Sequence, residues 1–439
     1  MLICICSSEN TNRGKGTNLK SMRYSYRRGV LRRRLTTAIA TTLSYGILLT
    51  VLFVGSLAYN WYQSTLKAAA INLTFTVTTT ADAGPGSLRQ AIIDANAATT
   101  TPANPNAIHF NIPGSGVQTI ALQTALPSIT QPVIIDGTTQ AGSSCGNLVP
   151  DAPYTSNVPH VLNIEIKSSN SVTGNHSDNT IDFVAGSDSS ILKGVVLNGF
   201  SGSTYQGPEA NVRVFSVANV TIDCSYTGVN PDGKTNPTMG MGIVGSAANN
   251  LTVTNSLLGN VLSTGARIID LNTVTFKNNI IGVSVDLTTP LVPTGNTGLY
   301  FGNVSGVVMG GSLADGNVFG SGMAVVSENT NNGVFAGNYI GMSPVDARPL
   351  PLARGVSLDY SCSNWLLGGS TPDQRNYVGS AGSEGFFINM RSAADNISVK
   401  GNYIGVAPDG VPLLCARTGL AINGPITNLV VGDATPRES

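Results

Sequence analysis

Asn332-Gly-Val-Phe-Ala-Gly-Asn-Tyr-Ile-Gly341 and Asn396-Ile-Ser-Val-Lys-Gly-Asn-Tyr-Ile-Gly405 are two copies of one ten-residue pattern. Looser copies are Asn219-Val-Thr-Ile-Asp-Cys-Ser-Tyr-Thr-Gly228, Asn250-Leu-Thr-Val-Thr-Asn-Ser-Leu-Leu-Gly259 and Thr273-Val-Thr-Phe-Lys-Asn-Asn-Ile-Ile-Gly282. Shorter relatives interleave with them: Gly306-Val-Val-Met-Gly-Gly311, Asn364-Trp-Leu-Leu-Gly-Gly369 and Asn428-Leu-Val-Val-Gly-Asp433, with Ser190-Ile-Leu-Lys-Gly194 upstream. Starts at 190, 219, 250, 273, 306, 332, 364, 396 and 428 recur about every 30 residues. Apolar residues alternate inside each copy, as in Leu251/Val253, Val274/Phe276 and Ile397/Val399, which is the period of a strand with one buried face. A second strand, usually opened by glycine, precedes each copy: Gly265-Ala-Arg-Ile-Ile269, Gly298-Leu-Tyr-Phe-Gly302, Gly355-Val-Ser-Leu-Asp359, Gly385-Phe-Phe-Ile-Asn389 and Gly419-Leu-Ala-Ile-Asn423. Short strands at a fixed period describe coils that stack, each burying its inward row against its neighbours. A leucine-rich repeat needs a leucine framework and a propeller needs a longer unit of about four strands, and neither pattern is present.

On these repeats, above all Gly337-Asn-Tyr-Ile-Gly341 and Gly401-Asn-Tyr-Ile-Gly405, the chain resembles the right-handed parallel β-helix superfamily of pectate-lyase-like fold. Within it, the chain resembles secreted bacterial proteins with Gly-Asn-Tyr-Ile-Gly repeats, over roughly residues 73–439. The resemblance implies an all-β, right-handed, single-stranded parallel β-helix. Thr76-Val-Thr-Thr-Thr-Ala-Asp-Ala-Gly-Pro-Gly-Ser-Leu-Arg-Gln-Ala-Ile92 is similar to the N-terminal cap of the same family. Ser87-Leu-Arg-Gln90 reads as a capping box opening a helix over 87–97, with Leu88, Ala91, Ile92 and Ala95 on one apolar face. Such a helix would plug the open end of the stack. Irregular coils follow, with strands expected near 107–112, 118–122, 133–136, 161–166 and 181–184, and regular coils from about 190. The last copy breaks off at Ser439 without a capping element, so this reading expects a continuation or an association with another chain.

The formal net charge of zero conceals an asymmetry: 9 of the 24 Lys and Arg lie in residues 1–34, against the single acid Glu9. The remainder is acidic, which argues against a nucleic-acid partner. Residues 1–34 form a basic cytoplasmic segment, and 35–62 read as one transmembrane helix with Tyr59, Trp61 and Tyr62 at its outer edge. A linker spans 63–72, and Ala68-Ala-Ala70 offers a cleavage site. The expected topology is therefore a single-pass anchor with the β-helix outside the cell, or a secreted form cut near Ala70. Cys145, Cys224, Cys362 and Cys415 can pair in three ways if exported, and otherwise read as small buried hydrophobes.

Asn219, Asn250, Asn332, Asn364, Asn396 and Asn428 open their copies and would stack as a column of amides. Asp232, Asp286, Asp346 and Asp409 follow their copies at turns; carboxylates two coils apart stand about 10 Å from one another, too far to share one ion, so they read as turn residues and no metal or cofactor is expected. In the glycine-opened strands the second and fourth residues after the glycine face outward. That row, with Arg213 from Asn211-Val-Arg-Val-Phe215, gives the candidate ligand-binding residues Arg213, Arg267, Tyr300, Asp359, Phe387, Asn389 and Asn423. Exposed rings and amides suit the faces and hydroxyls of sugars.

Catalytic motifs do not assemble. Polygalacturonases of this superfamily carry Asn-Thr-Asp, Asp-Asp, His-Gly and Arg-Ile-Lys; here Asn179-Thr-Ile-Asp182 and Arg267-Ile-Ile269 miss two of them, and the others are absent. His109, His160 and His176 lie before the regular coils. Asp270 and Glu328 are the one carboxylate pair arguable from spacing, and Asp359 has no evident second acid beside it. The expectation is a membrane-tethered surface protein that adheres to polysaccharide or to a host or neighbouring cell without catalysis; the alternative is a polysaccharide lyase or glycoside hydrolase.

Overall fold

The computed structural model describes residues 46, 48–57, 72–168, 179–199, 210–235, 240–259, 264–292, 296–379, 382–413 and 417–432. The chain divides into two units, Met1–Ala69 and Ala70–Ser439. In the first, residues 48–57 are helical and exposed. Among the described residues no helix is long and apolar enough to cross a membrane. The basic segment, most of the expected span and the Ala68-Ala-Ala70 site lie outside the described residues.

The second unit is a parallel β-helix. Its strands form three parallel sheets of 12, 10 and 9 strands, and each regular coil adds one strand to each. In one coil these are Trp365–Gly368, Tyr377–Val378 and Glu384–Met390. The nine sequence copies supply the last nine strands of the first sheet, from Ile191–Lys193 to Ile426–Val431, and the glycine-opened strands build the third. Alternation holds throughout: Ala266, Ile268, Leu299, Phe301, Val356, Leu358, Phe386 and Ile388 all lie in the central core.

The ten-residue pattern is two strands, not one. Gly333–Ala336 belongs to the first sheet, and Tyr339–Ile340 begins the second after a corner at Gly337-Asn338. Gly337 sits at φ 75°, and a Cβ there would stand 2.1 Å from the carbonyl oxygen of Ser312, so only glycine turns this corner. Asn338 points inward and joins a buried ladder that the outward asparagines had masked. Asn279 donates to Asn317 at 3.0 Å, Asn317 to Asn338 at 2.9 Å, Asn338 to Asn376 at 3.1 Å and Asn376 to Asn402 at 2.9 Å. The expected outer column also forms, with Asn250 on Asn219, Asn364 on Asn332, Asn396 on Asn364 and Asn428 on Asn396; the Thr273 hydroxyl continues it by donating to Asn250, and it breaks where Gly306 stands in for asparagine. All six of its asparagines occupy the left-handed region, which asparagine tolerates better than other non-glycine residues.

In the second sheet the two strand residues face opposite ways: Ile340 enters the central core, while Tyr339 enters a separate outer one. That outer core is roofed by long loops from every second coil, at 229–235, 283–290, 342–349 and 406–412. Loops two coils apart touch. Val285 N donates to Gly233 O at 2.9 Å, Lys234 pairs with Asp286 at 2.8 Å, and Arg348 reaches Leu287 O at 3.1 Å. The intervening coils are cut short by glycine. A Cβ on Gly259, Gly320 or Gly379 would stand 2.1, 2.3 or 2.8 Å from Val229, Val283 or Met342 of the loop lying across it. The four turn aspartates accept backbone N–H groups two residues on, as turn residues do.

At the N-terminal end Leu88–Ala97 is the capping helix, with Leu88, Ala91, Ile92 and Ala95 buried. Ser87 accepts from Gln90 N at 3.2 Å as expected. The return bond is missing, because the Gln90 amide donates instead to Asp94 at 2.8 Å. Residues 141–163 then make an excursion along the outside of the second sheet, so the strand expected near 161–166 begins only at Ile164. Cys145 is bonded to Cys224 across 79 positions. Cys362 is a free, buried thiol, and Cys415 lies outside the described residues. Asn157 donates to Val285 O at 2.7 Å and Tyr154 N to Pro344 O at 2.7 Å, so this strap crosses several coils.

Candidate functional site

The outward face of the third sheet collects the residues singled out from the sequence. Backbone pairing sets two rows. One runs Asp182, Arg213, Val244, Arg267, Tyr300, Val326, Ser357, Phe387, Ala421, and the other runs Phe215, Ser246, Ile269, Gly302, Glu328, Asp359, Asn389, Asn423. With about 4.8 Å per rung, Arg213 is about 14 Å from the Tyr300 rung and belongs to a different locality. It is also committed: it grips Asp182 through two hydrogen bonds of 2.7 and 2.8 Å, which raise its pKa above the ordinary value. Asp182 is further held by the Ser128 hydroxyl at 2.6 Å, so the near-match at 179–182 has a structural role.

Tyr300, Glu328, Asp359 and Asn389 do come together. The Tyr300 ring lies down on the sheet over Gly302, whose missing side chain leaves the space: a Cβ there would meet the ring at 3.2 Å. Its hydroxyl donates to Glu328 Oε2 at 2.8 Å. Asp359 accepts from Ser357 at 2.6 Å on one carboxylate oxygen and from Asn389 at 3.0 Å on the other. Glu328 and Asp359 are register partners on adjacent strands. Their backbones are therefore about one rung, 4.8 Å, apart.

Two expectations need correction. Asp359 does have a second acid beside it, and the pair is Glu328 with Asp359, not Asp270 with Glu328. Asp270 sits past the strand end at φ 56°, where Asn303 donates to it at 3.0 Å. The sequence hid the true pair because its strand carries Ala324 where the neighbouring strands carry Gly298 and Gly355, while Gly322 stands two residues earlier. Counting from Gly322 places Glu328 in the wrong row. Secondly, the aromatic faces are not bare: Arg267 lies over Tyr300 at 5.6 Å and Arg354 over Phe387 at 4.7 Å. Arg354 also pairs with Glu384 at 2.8 Å, and the Glu384 carboxyl is lowered below its ordinary pKa because hydrogen bonds from Ser383 and Arg354 and the Arg354 charge outweigh its partial burial.

Neither described histidine lies on this face. His109 lies in the first coils, paired with Thr76 and Asp136, and His176 lies outside the described residues. His160, contrary to expectation, packs on a regular coil: its Nδ1 accepts from Gly146 N at 2.8 Å and its Nε2 meets Asn255 O at 2.7 Å. Burial lowers its pKa. Among the described residues no group of three or more His, Cys, Asp or Glu side chains is placed to hold a metal ion.

No protein-family model matches the chain, and no curated protein matches it by sequence. Solved structures do. The A-module of a mannuronan C-5 epimerase from Azotobacter vinelandii is 12% identical, with TM-score 0.35, over 81% of this chain and 99% of its own. A mutant DFA-IIIase from Arthrobacter chlorophenolicus A6 is 11% identical, with TM-score 0.45, over 83% of this chain and 95% of its own. The catalytic domain of a GH87 α-1,3-glucanase, solved with nigerose, is 11% identical, with TM-score 0.32, over 81% of this chain and 65% of its own. Likeness at this level speaks to no activity of the present chain, and the fold rests on its own three parallel sheets.

Proposed function

We propose that the outward face of the third sheet binds polysaccharide outside the cell, the chain being tethered through residues 35–62 or released near Ala70. The observation that carries this is the continuous polar ledge of Tyr300, Glu328, Asp359, Asn389 and Asn423 on successive rungs. An open row of hydroxyl, carboxylate and amide groups offers hydrogen-bond partners to several sugar units in line, each bond contributing about 1 kcal/mol, and their number gives useful affinity. Export is supported by the Cys145–Cys224 bond, since disulfides persist in oxidising compartments. The test is retention of the full chain on immobilised polysaccharides. Wild type should be retarded and the double variant Tyr300→Ala/Asn389→Ala should elute near the void; equal elution of the two would overturn the assignment of this face. A hydrolytic role is the second reading, favoured by the Glu328–Asp359 adjacency.

A further inference from the structure

We infer that Asn423 is a self-modification site: its side-chain amide converts to aspartate and isoaspartate through a cyclic imide formed with Gly424, while the fold holds the other Asn–Gly steps of the chain unreactive. When glycine follows asparagine, the next backbone nitrogen reaches the side-chain carbonyl carbon with no intervening side chain in the way. The sequence has three such steps, Asn198-Gly199, Asn332-Gly333 and Asn423-Gly424. Ring closure needs an amide that can turn toward the backbone and a following N–H that is not already donated elsewhere. The three sites differ on both counts.

Asn198 is fully buried, and its amide donates to Glu165 Oε1 at 2.7 Å and to Val229 O at 3.0 Å. Asn332 is gripped in the outer column: its amide donates to Ser305 O at 2.8 Å and its carbonyl accepts from Asn364 at 3.0 Å. The Gly333 N–H that would have to attack is itself spent on Asn364 O at 3.1 Å. Asn423, by contrast, is exposed and ends the strand Thr418–Asn423. Its amide makes no hydrogen bond among the described residues, because its neighbour Asn389 is turned toward Asp359. Gly424 has left the strand at φ 94°, and its N–H donates to no backbone group among the described residues. In the first step the Gly424 nitrogen loses its proton to hydroxide and bonds to Asn423 Cγ as the Cγ–Nδ2 bond breaks, and ammonia leaves. In the second, water adds to either carbonyl of the imide and the ring C–N bond there breaks, giving aspartate or isoaspartate. One water is consumed and one ammonia released, with no change in oxidation state. The product adds a carboxylate to the row that already carries Glu328 and Asp359.

The test incubates the full folded chain at neutral and mildly alkaline pH, beside the same chain in guanidinium, and follows the three Asn–Gly peptides by mass spectrometry with isoaspartate assayed separately. In the folded chain Asn423 should convert about tenfold or more faster than Asn198 and Asn332, which must wait for local opening. The rate should rise with pH, and in guanidinium the three sites should converge. Anion exchange should show an acidic variant accumulating in wild type and not in Asn423→Gln, whose longer side chain closes the ring poorly. Gly424→Ala is unsuitable as a control, because its Cβ would stand 1.8 Å from Met390 O. Conversion of Asn423 no faster than the other two in the folded chain overturns the inference. So does aspartate formed at Asn423 without isoaspartate, since an imide opens both ways, and so does an acidic variant that persists in Asn423→Gln.

Discussion

Replacing Asn338 by alanine should be the most costly single side-chain truncation in the buried asparagine ladder. Its amide donates to Met309 O at 2.9 Å, Ala336 O at 3.1 Å and Asn376 at 3.1 Å, and its carbonyl accepts from the Asn317 backbone at 3.0 Å and the Asn317 amide at 2.9 Å. Ala336 O keeps a bond from Gly311 N, and the Asn317 amide keeps Phe276 O. The Asn317 backbone N–H and the Met309 carbonyl each lose a bond that no other side chain of the ladder replaces, and both residues are buried. At about 1–3 kcal/mol for removing the partner of a buried group, Asn338→Ala should cost about 3 kcal/mol. The paired control is Asn364→Gly in the outer column. That side chain is exposed, and glycine accepts its φ of 59°, so the cost should stay below about 1 kcal/mol. Guanidinium unfolding followed by circular dichroism measures both. A loss below about 1 kcal/mol for Asn338→Ala, or equal losses for the two variants, would refute the view that the inner ladder stabilises the corner.

Cys145→Ser should destabilise by about 4 kcal/mol, the entropy of freeing a loop of 79 positions, and full stability in the variant would show that the strap is held without the bond. Acid should loosen the strap through His160, whose folded pKa is lowered by burial. The unfolded chain takes up that proton near pH 6.5 and the folded one resists, so stability present above about 6.5 declines as pH falls below it toward the folded value. His160→Gln should flatten the decline between pH 7.5 and 5.5; an unchanged slope would remove His160 from the account.

The first and third sheets were legible because their strands are long enough for period-2 alternation to show, as in Ile397/Val399 and Phe386/Ile388. The second was not, because Tyr339–Ile340 offers two residues and no period. The inner ladder hid inside Gly-Asn-Tyr-Ile-Gly, where an asparagine beside glycine reads as a turn. On the candidate site, Tyr300, Asp359 and Asn389 were readable from the glycine count, whereas Glu328 was lost to the substitution at Ala324. No local pattern links Tyr154 to Pro344, and cysteine spacing alone leaves three pairings open, so the strap is a purely tertiary feature.

That strap changes the order in which the molecule can be assembled. A plain solenoid needs only adjacent coils, so it can grow from its first coil onward as the chain emerges. Here residues 141–163 have no finished surface to settle on until Asn255, Val285 and Pro344 have arrived. The segment must wait, with Leu148, Val149 and Leu162 uncovered, and Cys145 cannot meet Cys224 in its native setting until the coil bearing Cys224 has formed. Closure is therefore a late, long-range event grafted onto a local process, and the waiting segment is where proteases, chaperones or a second chain would find this protein most open to interference.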